Sequence, residues 1–209
     1  MVAVPPLGSD KHAVALATWD HLPLRLRAAV PIGDDELFEL CQVNRDLRIE
    51  RTADGEILIL PPTGGETGRR NAALTVQLDR WCELDGSGVS FDSSTGFILP
   101  SGAARAPDAA WVTLARWRAL SAEARAKFPP ICPDFVVELR SRTDQLATLL
   151  AKMEEYRASG AKLGWLIDPV ERRVHIYRPH AEVETHHAPT TIAGDPELPG
   201  FVLNLSRIW

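Results

Sequence analysis

The chain has 209 residues, enough for one domain with a substantial core. Its 45% apolar and 24% charged residues are those of an ordinary globular protein, and a net charge of −5 gives no basic surplus of the kind that announces nucleic-acid binding. No apolar run is long enough for a membrane span, and Cys41, Cys82 and Cys132 are too scattered for a disulfide framework or a zinc site.

The start, Met-Val-Ala-Val-Pro-Pro-Leu-Gly, lacks the charged and apolar regions of a secretion signal, so a cytoplasmic location is expected. Residues 1–29 read as a lead-in, 30–180 as the main domain and 181–209 as an extension packing on it. A helix is expected at 34–42, where Asp34, Asp35 and Glu36 suit the positive end of the helix dipole. A hairpin follows: residues 47–51 and 56–60 alternate, and Asp54-Gly55 is the turn between them. Residues 66–85 read as a helix on the spacing of Leu74, Leu78 and Trp81, with Arg70, Thr67 and Asn71 on the same face nearer its start. Short strands are expected at 89–91, 96–99 and 109–112, the last opened by Pro107-Asp108, with 100–106 as a loop between. Residues 114–127 form one or two exposed helices.

The stretch from Pro133 to Pro169 carries the most information. Residues 135–140 begin as an apolar run, read as a strand buried on both faces. A helix at 144–159 presents Leu146, Leu149, Leu150, Met153 and Arg157 on one face, with Lys152 and Tyr156 at its margin, and residues 163–167 form another apolar strand. Strand, helix, strand predicts a right-handed crossover between parallel strands. With the hairpin before it and strands at 173–177 and 201–205 after it, the fold class is mixed α/β, a mixed sheet flanked by helices.

Glu138 is out of place in this pattern. A carboxylate at the end of a buried strand is costly unless it is paired, protonated or bound to a metal. Alternation along the strand puts Arg140 and Val136 on its face. Three features, Asp108, Glu138 and Lys152, stand in an order that suits metal-dependent phosphodiester hydrolysis. Such chemistry needs a divalent ion, usually held by one or two carboxylates, and a cation to offset charge on the phosphate. Taken singly, each has an ordinary structural explanation: turn chemistry for Asp108, an ion pair with Arg140 or Arg142 for Glu138, a solvated helix lysine for Lys152.

These residues resemble the Uma-type restriction endonuclease domain of the PD-(D/E)XK nuclease superfamily. The resemblance is carried by Pro107-Asp108, by the run from Pro133 to Ser141, by Lys152, Tyr156 and Gly160, by the run from Gly164 to Pro169, and by Glu50 ahead of Asp54-Gly55. It implies a restriction-endonuclease-like core in which Asp108 and Glu138 hold magnesium or manganese and Lys152 positions water or stabilises charge. Arg140, with Asn71 or Arg70, contacts phosphate, and Glu50 is a further acid. The superfamily's usual lysine is replaced here by Arg140, which can hold a phosphate but not exchange a proton; Lys152 matches the family's alternative lysine. Many relatives carry a histidine near residues 67–71, where this chain has Arg69, Arg70 and Asn71.

Two functions remain open at this level. One is a magnesium-dependent endonuclease acting on DNA, with room for a homodimer. The other is a catalytically inactive nuclease-fold module that binds nucleic acid or a protein partner. A purely structural role is a third, if Trp111, Trp117 and Trp209 are exposed.

Overall fold

The computed structural model of the protein describes residues 23–209. Most of the expected lead-in therefore lies outside the described residues. Its last part is not structureless: β1 (Leu24–Leu26) pairs antiparallel with β3 (Ile57–Leu60). The first helix, α1 (Asp34–Val43), opens with its three acids, and Glu36 Oε2 accepts from the Gly33 N–H at 2.9 Å. The hairpin forms as expected from β2 (Arg48–Arg51) and β3, turning at Gly55, whose φ of 84° is open to glycine without strain. Helix α2 (Gly65–Asp85) ends on Gly86 in the left-handed region, its N–H closing on Cys82 O at 2.9 Å.

The next stretch corrects the loop expected at 100–106. Ala104–Arg105 forms a strand, β6, between β5 (Phe97–Ile98) and β2, so the small sheet has the order β1-β3-β2-β6-β5. Two residues were too short a signal to separate from a turn. The larger sheet contains β4 (Gly88–Asp92), β7 (Ala109–Thr113), β8 (Phe135–Leu139), β9 (Leu163–Asp168), β10 (Arg173–Tyr177) and β11 (Glu184–His187). Its order is β11-β10-β9-β8-β7-β4. Only β8 and β9 run parallel, joined through α5 (Leu146–Ala158) as the strand–helix–strand pattern requires. Two short helices, α3 (Leu114–Ala119) and α4 (Ala122–Ala126), precede β8, and β12 (Thr191–Ala193) pairs with β13 (Val202–Asn204).

The larger sheet is covered on both faces, which explains the nearly unbroken apolar runs of β8 and β9. One face, with Phe135, Val137, Trp165 and Ile167, packs on Leu74 and Leu78 of α2 and on Leu198, Phe201, Leu203 and Ile208 near the C-terminus. The other, with Val136 and Leu166, packs on Met153 and Tyr156 of α5. Gly164 allows α5 close approach, since a Cβ there would lie 2.6 Å from Met153 Cε. Trp111, whose exposure a purely structural role would need, is 3% exposed, its ring centroid 5.7 Å from that of Trp81. Trp117 and Trp209 are half-buried against the same cores. No helix among the described residues is long and apolar enough to cross a membrane.

Candidate active site

Strand alternation turns Glu138 to the side of Val136, beneath α5, where it is 3% exposed. Lys152 and Tyr156 are one helical turn apart and reach it from the same face of α5. The Tyr156 hydroxyl donates to Glu138 Oε1 at 2.9 Å, and Lys152 Nζ lies 2.8 Å from that oxygen. The ammonium also donates to Glu50 Oε1 at 3.0 Å. The expected apolar face packs on the core, with Leu146, Leu149, Leu150 and Met153 against it. The fully buried residues of the helix are Met153 and Tyr156, while Arg157, read as part of the apolar face, donates to Ala181 O near the surface.

Glu50 comes from the small sheet. On β2, Ile49 faces the α1 side, packed against Leu37 and Ile57, so Glu50 and Arg48 project the opposite way. Glu50 is 2% exposed and fully engaged. Besides Lys152 it accepts from the Ala106 N–H at 3.3 Å and from Arg105 Nη1 at 3.2 Å. Arg105 is held in turn by Glu155 of α5, Nε to Oε2 at 2.5 Å. Arg48 donates from Nη2 to Ala106 O at 2.5 Å and stands 3.8 Å from Asp108 Oδ1 and 3.9 Å from Glu50 Oε1.

Asp108 sits where the chain passes from the small sheet into β7. Its backbone N–H donates to Val137 O at 2.9 Å, and its Oδ2 accepts from the Leu139 N–H at 2.8 Å. These two bonds straddle Glu138 and lock Asp108 to the same stretch of β8. Its Oδ1 accepts from Asn71 Nδ2 of α2 at 3.0 Å.

Glu138 and Glu50 feel different fields. Burial pushes Glu138 up to about 7, helped by the Asp108 and Glu50 charges and only partly opposed by Lys152. Burial acts on Glu50 as well, but Lys152, Arg105 and Arg48 together hold it below the usual carboxylate range. For Lys152 burial disfavours the charge, yet Glu138 and Glu50 more than offset it and raise its pKa. The ammonium therefore stays protonated near neutrality. Burial, with the neighbouring Glu138 and Glu50 charges, raises the Tyr156 phenol well above its ordinary value, so it remains a hydrogen-bond donor.

Of the residues singled out from the sequence, Asp108, Glu138, Lys152, Tyr156, Glu50 and Asn71 form one hydrogen-bonded and ion-paired cluster. Arg140 does not join it. Its Nη1 lies 2.7 Å from Asp168 Oδ2 and its Nε donates to Asp144 O at 3.5 Å, so the ion pair considered between Glu138 and Arg140 is absent. Arg70 has its nearest carboxylate at 3.6 Å, on Glu66. Arg48, Arg105 and Glu155 went unassigned. Arg48 could have been found, because it sits two residues from Glu50 on an alternating strand; Arg105 lay in the stretch read as loop.

The donor set fits a hard divalent cation. It consists of oxygens, which suit magnesium and manganese. Glu138 Oε1 takes both the Lys152 and Tyr156 contacts, while Oε2 has no donor among the described residues. The buried Asn71 Oδ1 beside Asp108 also has no partner among them. The Asp108 and Glu50 charges add to the effect of burial on Glu138, and a bound cation would relieve that repulsion. Among the described residues no three His, Cys, Asp or Glu side chains are arranged to hold a metal; a magnesium ion commonly takes one or two carboxylates and fills the rest with water and substrate.

Comparison with known proteins agrees with this architecture. No curated protein matches the chain. A chain of known structure, described as "a putative nuclease belonging to DUF820 from Anabaena variabilis ATCC 29413", superposes with a TM-score of 0.70 over 85% of this chain and 97% of its own. At 19% identity that likeness establishes a shared fold. The family model described as "Uma2: Putative restriction endonuclease" matches residues 34–206, a span that takes in every residue of the cluster. The chain belongs to the Uma2 family.

Proposed function

We propose that the chain is a divalent-cation-dependent endonuclease that hydrolyses phosphodiester bonds of DNA. The observation that carries this reading is the buried Glu138 paired with Lys152, with the buried Asp108 bonded to the backbone on either side of it. The restriction-endonuclease description of the family supports DNA as the substrate.

Asp108 and Glu138 would hold the ion, magnesium or manganese. When bound, it would supply a Lewis acid for the phosphate and lower the pKa of a bound water. Lys152 has three N–H donors, two of them directed to Glu50 and Glu138. The third has no acceptor among the described residues and would meet a phosphate oxygen, and the raised pKa of Lys152 makes the ammonium a permanent point charge for the developing anion, not a base. Glu50, with Arg105 behind it, fixes where that ammonium sits. Tyr156 orients Glu138 by donating to its Oε1.

The test is cleavage of plasmid and linear DNA by the full chain with magnesium or manganese, against Asp108→Ala and Lys152→Met. Cleavage lost in both variants and in chelator supports the proposal. DNA binding without cleavage, unchanged by chelation and by Asp108→Ala, would overturn it in favour of a non-cutting binding module.

A further inference from the structure

We infer that Asn71 Oδ1 is a third oxygen ligand of the cation proposed for Asp108 and Glu138; the inference rests on that reading of the site. Asn71 lies early in α2, directly after Arg69 and Arg70, and is 8% exposed. An asparagine within a helix is a poor helix former, and a buried amide is costly unless both its ends are satisfied. Leucine or alanine would pack here more cheaply, as Ala73 and Leu74 do just after it.

Only one end of the amide is satisfied. Nδ2 donates to Asp108 Oδ1 at 3.0 Å, whereas Oδ1 accepts nothing from any described residue. Turning the amide over does not help. It would bring two acceptor oxygens together at hydrogen-bond distance, so the Asp108 carboxylate itself fixes which atom is oxygen. The orphan oxygen is therefore held beside Asp108 by its own amide. What satisfies a buried carbonyl oxygen is a donor or a cation, and side-chain amide oxygens are accepted ligands of hard divalent ions.

Charge explains why an amide suits this position. Glu138, Asp108 and Glu50 already repel one another. A fourth carboxylate would deepen that repulsion in the metal-free protein, while a neutral oxygen adds a ligand without adding charge. Two carboxylates and one amide oxygen would give a cation a partial oxygen cage drawn from the residue before β7, from β8 and from α2.

Manganese binding to the full-length protein, followed by electron paramagnetic resonance titration, tests this without reference to cleavage. Asn71→Ala is expected to weaken manganese at least about tenfold, the scale on which metal-site residues act. Asn71→Asp separates a ligand from a prop: it keeps a coordinating oxygen but cannot donate to Asp108. As a ligand position it should retain affinity within about threefold of the parent, or bind more tightly. If Asn71→Asp loses manganese, or if Asn71→Ala binds like the parent, the inference is overturned and Asn71 acts only as a donor to Asp108. Thermal melting in chelator verifies folding, and should Asn71→Ala not fold, the Asn71→Asp titration decides alone. Asp108→Ala reports on the underlying reading: manganese binding that survives it removes the whole cation site, whereas loss there with none in Asn71→Ala removes only this inference.

Discussion

Glu50 and Glu138 share one ammonium. Lys152 Nζ stands 3.0 Å from Glu50 Oε1 and 2.8 Å from Glu138 Oε1, so a single helix side chain ties the small sheet to the large one. The two acids respond in opposite directions because their other neighbours differ. Glu50 also has Arg105 at 3.2 Å and Arg48 nearby, whereas Glu138 has Asp108 and Glu50 themselves. The same cation thus leaves one carboxylate firmly ionised and the other poised near neutrality.

Removing that cation should unsettle both sheets. In Lys152→Met, two carboxylates at 2% and 3% exposure lose their common partner. Leaving buried charges unpaired costs about 3 kcal/mol or more. The loss should be largest above pH 7, where Glu138 is ionised, and smaller at pH 5, where it can take up a proton. Urea denaturation at the two pH values checks this; equal losses at both would contradict it.

Glu138 by itself makes a second pH prediction for the metal-free protein. Its folded pKa of about 7 lies above the ordinary glutamate value of 4.5, so between those values the folded state binds more protons than the unfolded chain. Stability from this group is fully present below about pH 4.5 and is lost as pH rises through 7. Glu138→Gln cannot ionise and should lack the loss. The difference between variant and parent should be small at pH 4.5 and grow, in the variant's favour, to on the order of 2–3 kcal/mol at pH 8. Denaturation curves in chelator across this range measure it.

Cation binding should run the other way. A carboxylate must be ionised to act as a ligand, so binding competes with the proton on Glu138. Manganese affinity is expected to be flat above about pH 7 and to fall roughly tenfold per pH unit below it. A profile whose break lies near pH 4.5 would mean that Glu138 is not a ligand.

Much of this arrangement was legible because burial leaves a mark on sequence. The apolar runs around Glu138 and in β9, the spacing of Leu74 and Leu78, and the Asp54-Gly55 turn all carried strong periodic or turn signals, and the elements formed there. Asp108, Glu138 and Lys152 were singled out by their order along the chain. Less was legible where a residue's partner depends on a different element. Glu50 becomes central only because Lys152 crosses to the small sheet, and Asn71 only because Asp108 lies beside α2. The depth of Tyr156 was missed for the same reason. Glu138, a charged strand residue, pairs with both Lys152 and Tyr156 from the margin of α5, while Leu146 and Leu150 pack half-buried on the core. Hydrophobic periodicity does not register such an attraction.

Arg140 gives the clearest contrast between motif position and structural role. It stands where the superfamily's usual pattern puts a lysine, yet its guanidinium is drawn to Asp168, which is 0% exposed at the end of β9. Asp168 Oδ1 accepts from the Val170 and Glu171 N–H groups at 2.9 and 3.1 Å, and Arg140 Nη1 at 2.7 Å satisfies Oδ2. The arginine therefore closes the β9–β10 turn against the end of β8. Arg140→Gln should cost about 2 kcal/mol of stability, the scale of a hydrogen bond to a buried charge. Because Arg140 touches neither Glu138 nor Asp108, manganese affinity should stay within about twofold of the parent, as expected for a residue outside the cluster. Denaturation and manganese titration of the same preparation measure both quantities. A variant that keeps full stability but loses the cation would return Arg140 to the site that its motif position suggests.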